Sequence, residues 1–333
     1  YPEEGELMAS IISNQIRSWR PDKPASKGAT AFHEAVANSS WLQDDLYELV
    51  KIVRSKIHKG DTVVDFGAGT GSSAILLLKY LKKEINLWLV DNSQSWMAKA
   101  YEILNKFPNI KFFILEKKGN QYVTLAETIG NGVADHVISA NTVHLIPDLK
   151  ETFSGIALAL KNGGTFTLQT ANLLRKGRPD GALMIDETVK SVHDIALEVV
   201  RTNSNFASYR EGLDERMKSE ELQRKFVFPE PRPIEAYLEA LDEAGLVYQE
   251  PICILVKIKY KDWLNFLRVK RLQAGILPEI GGREPSPKEE RDRDNLITMS
   301  ALKLFKDLQE ENPLADDKSF TVESVYVLSK KTE

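Results

Sequence analysis

The chain has 333 residues, of which 42% are hydrophobic and 28% charged, with a formal net charge of −4. That supports a sizeable buried core in one or two domains, and it argues against nucleic-acid binding as the main task, which needs a basic face. No run reaches the roughly 18 apolar residues of a membrane span, and the single cysteine, Cys253, forms neither an intrachain disulfide nor a cysteine metal cluster. The opening Tyr1-Pro2-Glu3-Glu4 lacks the basic start and apolar run of a secretory leader. A cytoplasmic protein is expected, and the missing initial methionine leaves the completeness of the native start open.

Residues 5–19 have helical apolar spacing at Leu7, Ile11, Ile12 and Ile16, broken by Pro21 and Pro24. A second helix is predicted over 41–58, with Leu42, Leu46, Leu49, Val50 and Val53 on one face and Lys59-Gly60-Asp61 as its stop. The period then changes. Residues 62–66 predict a short buried strand, followed by a glycine-rich turn and a helix over 73–82. Further strands are predicted over 86–90, 110–115, 134–139 and 165–170, with helices over 97–107 and 148–160. This alternation implies a parallel sheet with helices on both faces. Residues 172–232 read as mostly helical, including 185–201 and the charged stretch 210–225. A helix over 233–244, a sixth strand region over 247–259, a helix near 296–308 and a last strand over 320–329 complete the chain. The charged run 285–294 is expected to be a mobile, solvated loop.

The segment Val64-Asp65-Phe66-Gly67-Ala68-Gly69-Thr70-Gly71 has the spacing D-x-G-x-G-x-G. Its glycines allow a tight turn from strand to helix and let a ligand lie against bare backbone. Asp65, at the strand end, can accept hydrogen bonds from an ammonium group. Asp91 ends the next strand, where a carboxylate can take both hydroxyls of a ribose. Gly69-Thr70-Gly71-Ser72-Ser73-Ala74 also fits the dinucleotide fingerprint G-x-G-x-x-A, so an NAD-dependent oxidoreductase stands as an alternative. Three features favour methyl transfer: the acid inside the end of the first strand, the Gly163-Gly164 turn into strand five, and a final strand able to insert antiparallel beside the sixth.

On these motifs the sequence resembles the class I, Rossmann-like S-adenosylmethionine-dependent methyltransferases, in their small-molecule branch. The likeness covers residues 60–172, and more weakly 233–258 and 320–330. It implies an α/β fold: a seven-stranded, mostly parallel, doubly wound sheet with a mainly helical cap formed by the N-terminus and insertions after strands five and six. The expected organisation is a cap segment 1–59, an S-adenosylmethionine-binding core 60–172, a cap insertion 173–232, a core helix and strand 233–259, a second insertion 260–318, and a last strand and tail 319–333. The resemblance places Asp65, Gly67, Ala68, Gly69 and Gly71 on the amino-acid end of the cofactor and Asp91 with Asn92 on its ribose. Trp96 or Met97 would cover the adenine, an indole being well suited to that face. Glu116 holds the third family position and Asn141 the fourth, beside the transferred methyl. The N/D-P-P-Y/F signature of enzymes that methylate nucleic-acid amino groups is absent after strand four.

Methyl transfer from a sulfonium is an in-line displacement, in which proximity and exclusion of water carry much of the catalysis. A base helps where the acceptor must lose a proton. His144, at the carboxyl edge of the sheet, is the first candidate, and His193, on the 185–201 helix, the second. His33, Arg175 and Tyr209 are candidate substrate contacts. Arg232, Arg268 and Arg271 add basic groups, while Trp263 and Phe266 fit packing. Asp316-Asp317 and Asp292-Arg293-Asp294 lack the spacing of a metal ligand set, so no metal is expected. The expected reaction moves a methyl to an oxygen or nitrogen, less readily a carbon, of a small organic metabolite, leaving S-adenosylhomocysteine. No nucleic-acid or membrane partner is expected, and the chain is expected to be a monomer or homodimer. A noncatalytic S-adenosylmethionine-binding protein is a further alternative.

Overall fold

The computed structural model describes residues 18–81, 84–119, 121–218, 229–269 and 286–332. Most of the first predicted helix, the 219–225 end of the charged helix, Arg271 and residues 281–285 of the polar loop lie outside them.

Helix α1 (Lys27–Asn38) starts at Ser26, whose hydroxyl accepts the amide of Ala29 at 3.1 Å. Helix α2 (Ser40–Val53) follows almost at once. The alternating body is β1 (Thr62–Phe66), α3 (Ser72–Leu81), β2 (Asn86–Asp91), α4 (Gln94–Leu104), β3 (Ile110–Ile114), α5 (Leu125–Ile129), β4 (Ala134–Ala140), α6 (Leu149–Ala159) and β5 (Leu160–Thr170). After it come α7 (Ile185–Thr202), α8 (Ile234–Glu243), β6 (Leu246–Tyr248), β7 (Ile252–Lys259), α9 (Tyr260–Leu267), α10 (Pro287–Glu311) and β8 (Ser319–Lys331).

The sheet runs β3-β2-β1-β4-β5-β8-β6, with β7 also paired to β8. Strands β1 to β5 are parallel, and β8 is antiparallel to β5, β6 and β7. Among the described residues the sheet thus has eight strands, one more than the seven expected. The sixth strand region is split at Glu250-Pro251, because proline cannot donate to the ladder. Its pieces pair with opposite ends of the long β8: β6 with Ser329–Lys331, and β7 with Ser319–Tyr326.

One sheet face packs Val64, Val90, Val137 and Phe166 against α5, α6 and α8. The other packs Val63, Leu87, Ile138 and Tyr326 against α2, α3 and α4. A third apolar cluster joins α1, the start of α2, α7, α9 and α10 to β7 and β8. Trp263 lies fully buried at its centre, edge-on to Trp41 at 5.9 Å, so Trp263 and Phe266 are packing residues as expected. This cluster is the cap.

Of the charged run 285–294, the described residues do not form a loop. From Pro287 it forms the first turns of α10, a helix of 25 residues. Ser286 and Glu289 close a capping box with Pro287 at the first helical position, and Leu296, Ile297, Leu304 and Phe305 bury its apolar stripe in the cap. Among the described residues no helix is long and apolar enough to cross a membrane.

Candidate active site

β1 carries Asp65 to the sheet edge, and the chain turns through Gly67 and Gly69 at φ +74° and +56°. A β-carbon on Gly67 would stand 2.1 Å from Thr142 Cγ2, and one on Gly69 3.3 Å from the Trp96 ring. The turn is therefore gripped between the loop after β4 and the start of α4. Its backbone is tied to β2 by Asp91, whose Oδ2 accepts the Gly69 amide at 2.8 Å and whose Oδ1 accepts the Ser93 amide at 2.7 Å. Each carboxylate oxygen can accept more than one bond, so these contacts orient the acid without exhausting it.

Asp65 is 1% exposed. Its Oδ2 accepts the Ser73 hydroxyl at 2.5 Å, whereas Oδ1 has no partner. Burial, reinforced by the nearby Asp91 charge, pushes its carboxyl up to about 7. An orphaned carboxylate oxygen under a glycine turn is costly unless a cation meets it. An α-ammonium group supplies that cation, so the residues present fit the amino-acid end of S-adenosylmethionine.

Opposite this turn, Asn141 leaves β4 at φ +51°. Thr142 follows and donates its hydroxyl to Gly67 O and Ala140 O, both at 3.1 Å. A short 3₁₀ turn, Val143–Leu145, then presents His144, whose Nδ1 lies 3.0 Å from Thr170 Oγ1. Burial, with the positive charge of Arg232, lowers the His144 pKa to about 4, so its imidazole is neutral at physiological pH. Arg232 is not poised to grip a ligand: it donates to the carbonyls of Val143, His144, Ile146 and Pro147 at 2.6–3.3 Å and clamps this loop.

The amino-terminal part of the cap reaches the same place. His33 Nδ1 lies 3.2 Å from Thr70 Oγ1, between Gly69 and Gly71. Burial, with Lys99 nearby, lowers the His33 pKa. Phe32 packs on Trp96 at 4.2 Å and faces Phe266 at 6.0 Å. Ser95 donates to Ser26 at 2.7 Å, and Glu102 accepts the Ala25 amide at 2.9 Å. Of the two candidates for the adenine face, Met97 is buried in the core behind α4, which leaves Trp96 at the surface of the turn.

The other predicted residues are more dispersed. Asn92 is exposed beside Asp91, and Glu116 is exposed after β3, its carbonyl accepting the Val123 amide at 2.9 Å. His193 is 3% exposed on α7. The Arg175 guanidinium is taken up by Glu323, at 2.9 and 2.5 Å, and by the carbonyls of Lys176 and Gly177. Tyr209 donates its hydroxyl to Asp292, and Arg268 pairs with Asp294 at 2.9 Å. Among the described residues no group of three or more His, Cys, Asp or Glu side chains is placed to hold a metal. Thr70, Thr142, Gln169 and Asp45 take part in the site's framework without having been singled out from sequence.

A family model described as a methyltransferase domain matches residues 57–225, half of the chain. The chain belongs to that family. Its sheet order and glycine turn make it a class I, S-adenosylmethionine-dependent methyltransferase, and this sets aside the dinucleotide reading of residues 69–74. The methyltransferase is similar in fold to the YcgJ protein from Bacillus subtilis, at 16% identity over 87% of this chain and 99% of that one, with a TM-score of 0.51. It is also similar to Haemonchus contortus phosphoethanolamine N-methyltransferase 2 in complex with S-adenosyl-L-methionine, at 16% identity over 92% of this chain and 57% of that one, TM-score 0.49. Geranyl diphosphate C-methyltransferase from Streptomyces coelicolor A3(2) aligns at 13% identity over 99% of both chains, TM-score 0.43. No curated protein matches the chain.

Proposed function

We propose that this methyltransferase modifies an oxygen or nitrogen of a small organic metabolite held between the carboxyl edge of the sheet and the cap. The observation that carries this reading is the contact of His33 with Thr70: the cap rests directly on the cofactor turn, which favours an enclosed pocket over an open face for a macromolecule. In this reading residues 60–172 hold the cofactor, and 1–59, 173–232 and 260–318 build the enclosure.

S-adenosylmethionine, when bound, supplies an activated methyl group on a good leaving group. Asp65 meets its ammonium, Gly67, Ala68, Gly69 and Gly71 lie along its amino-acid end, and Asp91 with Asn92 takes the ribose. Trp96 covers the adenine, with Glu116 at its rim. Asn141, at φ +51° after β4, borders the methyl. His144, neutral and oriented by Thr170, is a hydrogen-bond partner for the acceptor rather than a strong base, because a pKa of about 4 gives little driving force for proton abstraction. His193, His33, Arg175 and Tyr209 belong to the enclosure in this reading, with the Arg175 charge already balanced by Glu323.

The test is incorporation of label from methyl-labelled S-adenosylmethionine into pooled small metabolites, folded RNA and protein. Label in low-mass products alone supports the proposal. Label confined to RNA or protein contradicts it.

A further inference from the structure

We infer that Asp45, on the cap helix α2, is a positioning residue of the cofactor site, acting through Gln169 and Asn141 on the glycine turn. The inference rests on the cofactor assignment above.

Asp45 is 1% exposed, and Gln169, Ser324 and Tyr326 around it are fully buried. A carboxylate in such a place requires partners, and each one is present. Its Oδ2 accepts Gln169 Nε2 at 2.6 Å, and its Oδ1 accepts the Tyr326 hydroxyl. Tyr326 further donates to the Asp45 carbonyl at 2.9 Å, fixing the helix itself to β8.

This arrangement determines which way the Gln169 amide points. Nε2 lies between two oxygens, Asp45 Oδ2 and Ser324 Oγ, the latter at 2.8 Å. The amide oxygen is thereby turned to Asn141, whose N–H it accepts at 3.0 Å alongside the Gln169 carbonyl at the same distance. Asn141 is the residue at φ +51°, in the left-handed region that asparagine enters more readily than most side-chain-bearing residues. Next in the chain, Thr142 bonds Gly67 O and fills the space above Gly67. A continuous path therefore runs from the cap helix through β5 and the loop after β4 to the turn that holds the cofactor. In the Ångström-sensitive geometry of group transfer, such supporting contacts are what keep a binding turn in place.

The decisive experiment exchanges the two ends of the Asp45–Gln169 bond. Gln169→Glu alone sets two carboxylates against each other. Asp45→Asn with Gln169→Glu restores the bond with its polarity reversed: the new amide donates to the new carboxylate, which still accepts the Asn141 N–H. Calorimetry with S-adenosylhomocysteine, with exchange of the Asn141 amide hydrogen by NMR, serves as readout, and melting curves report folding.

Q169E is expected to lose on the order of 10-fold in affinity and to expose the Asn141 amide to faster exchange. The double variant is expected to recover to within about 3-fold of wild type on both readouts. If Q169E does not fold, Gln169→Met removes the same bonds at similar volume and is expected to show the same loss. A double variant no better than Q169E at equal melting temperature, or a single variant that binds as wild type does, overturns the inference. Failure of the wild type itself to bind S-adenosylhomocysteine would instead strike the cofactor assignment.

Discussion

The imidazole of His33 reaches the hydroxyl of Thr70, 3.2 Å away, so the amino-terminal helix touches the turn between its second and third glycines. With Phe32 on Trp96, this makes the cap part of the proposed cofactor site. His33→Ala removes one partly buried hydrogen bond, worth about 1 kcal/mol. Affinity for S-adenosylhomocysteine is expected to fall about 5-fold by calorimetry, with little change in melting temperature. Unchanged affinity would show that the cap contact plays no part in binding.

Gly67→Ala tests the fit of the turn. The added methyl would meet Thr142 Cγ2 at 2.1 Å in a backbone conformation that disfavours side chains. A stability loss of about 1–3 kcal/mol is expected in urea denaturation, with loss of cofactor binding. Wild-type affinity in this variant would mean that the turn is looser than its geometry implies.

Asp65 gives a pH dependence with a definite sign. Its folded pKa, about 7, lies above the ordinary 3.8, so the native state holds the proton more tightly. Stability contributed by this group therefore falls as pH rises from about 4 to about 7. A bound ammonium favours the carboxylate, so affinity for S-adenosylhomocysteine should rise with pH up to about 7 and then level off. His144, lowered to about 4 from 6.5, acts in the opposite sense, with stability falling as pH drops through that window. The Asp65 contribution is isolated as the difference between wild type and Asp65→Asn, in which the binding profile should be weak and flat. A profile equally steep in both would exclude Asp65.

Arg232→Met removes the clamp on the loop that carries His144. Its guanidinium holds four carbonyls there. The urea midpoint is expected to drop by the equivalent of about 1.5–3 kcal/mol, the worth of a charged hydrogen-bond set net of solvation. A midpoint within error of wild type would contradict the clamp.

The alternating body was legible in the sequence because buried parallel strands and a glycine turn leave strong local marks. The positions of Asp65 and Asp91 near strand ends are legible because the buried strands that carry them are. Two features of the fold depart from the expectation although the sequence carries their signals. Pro251 marks the break that makes eight strands of seven, and Ser286-Pro287-x-Glu289 places a capping box and an N1 proline at the head of α10, where charge density alone suggests a loop. Asp45 carried a subtler mark, since it lies on the same helix face as Leu42, Leu46 and Leu49, where a solvated acid has no place. Its partners Gln169, Ser324 and Tyr326 are distant in the chain and meet only when β8 inserts beside β5. No local pattern announces that meeting. The roles of Arg175, Arg232 and Tyr209 were hidden likewise, because whether a charge or hydroxyl greets a ligand or a neighbour depends on tertiary partners.

The central claim is that Asp91 and the glycine turn hold S-adenosylmethionine. It is tested most directly by calorimetric titration of wild type and Asp91→Ala with S-adenosylmethionine, S-adenosylhomocysteine and NADH. Binding of the first two by wild type, lost or weakened at least roughly 10-fold in the variant while NADH shows no heat, is the predicted result. Binding of NADH alone, or equal binding of S-adenosylhomocysteine by both proteins, would contradict it.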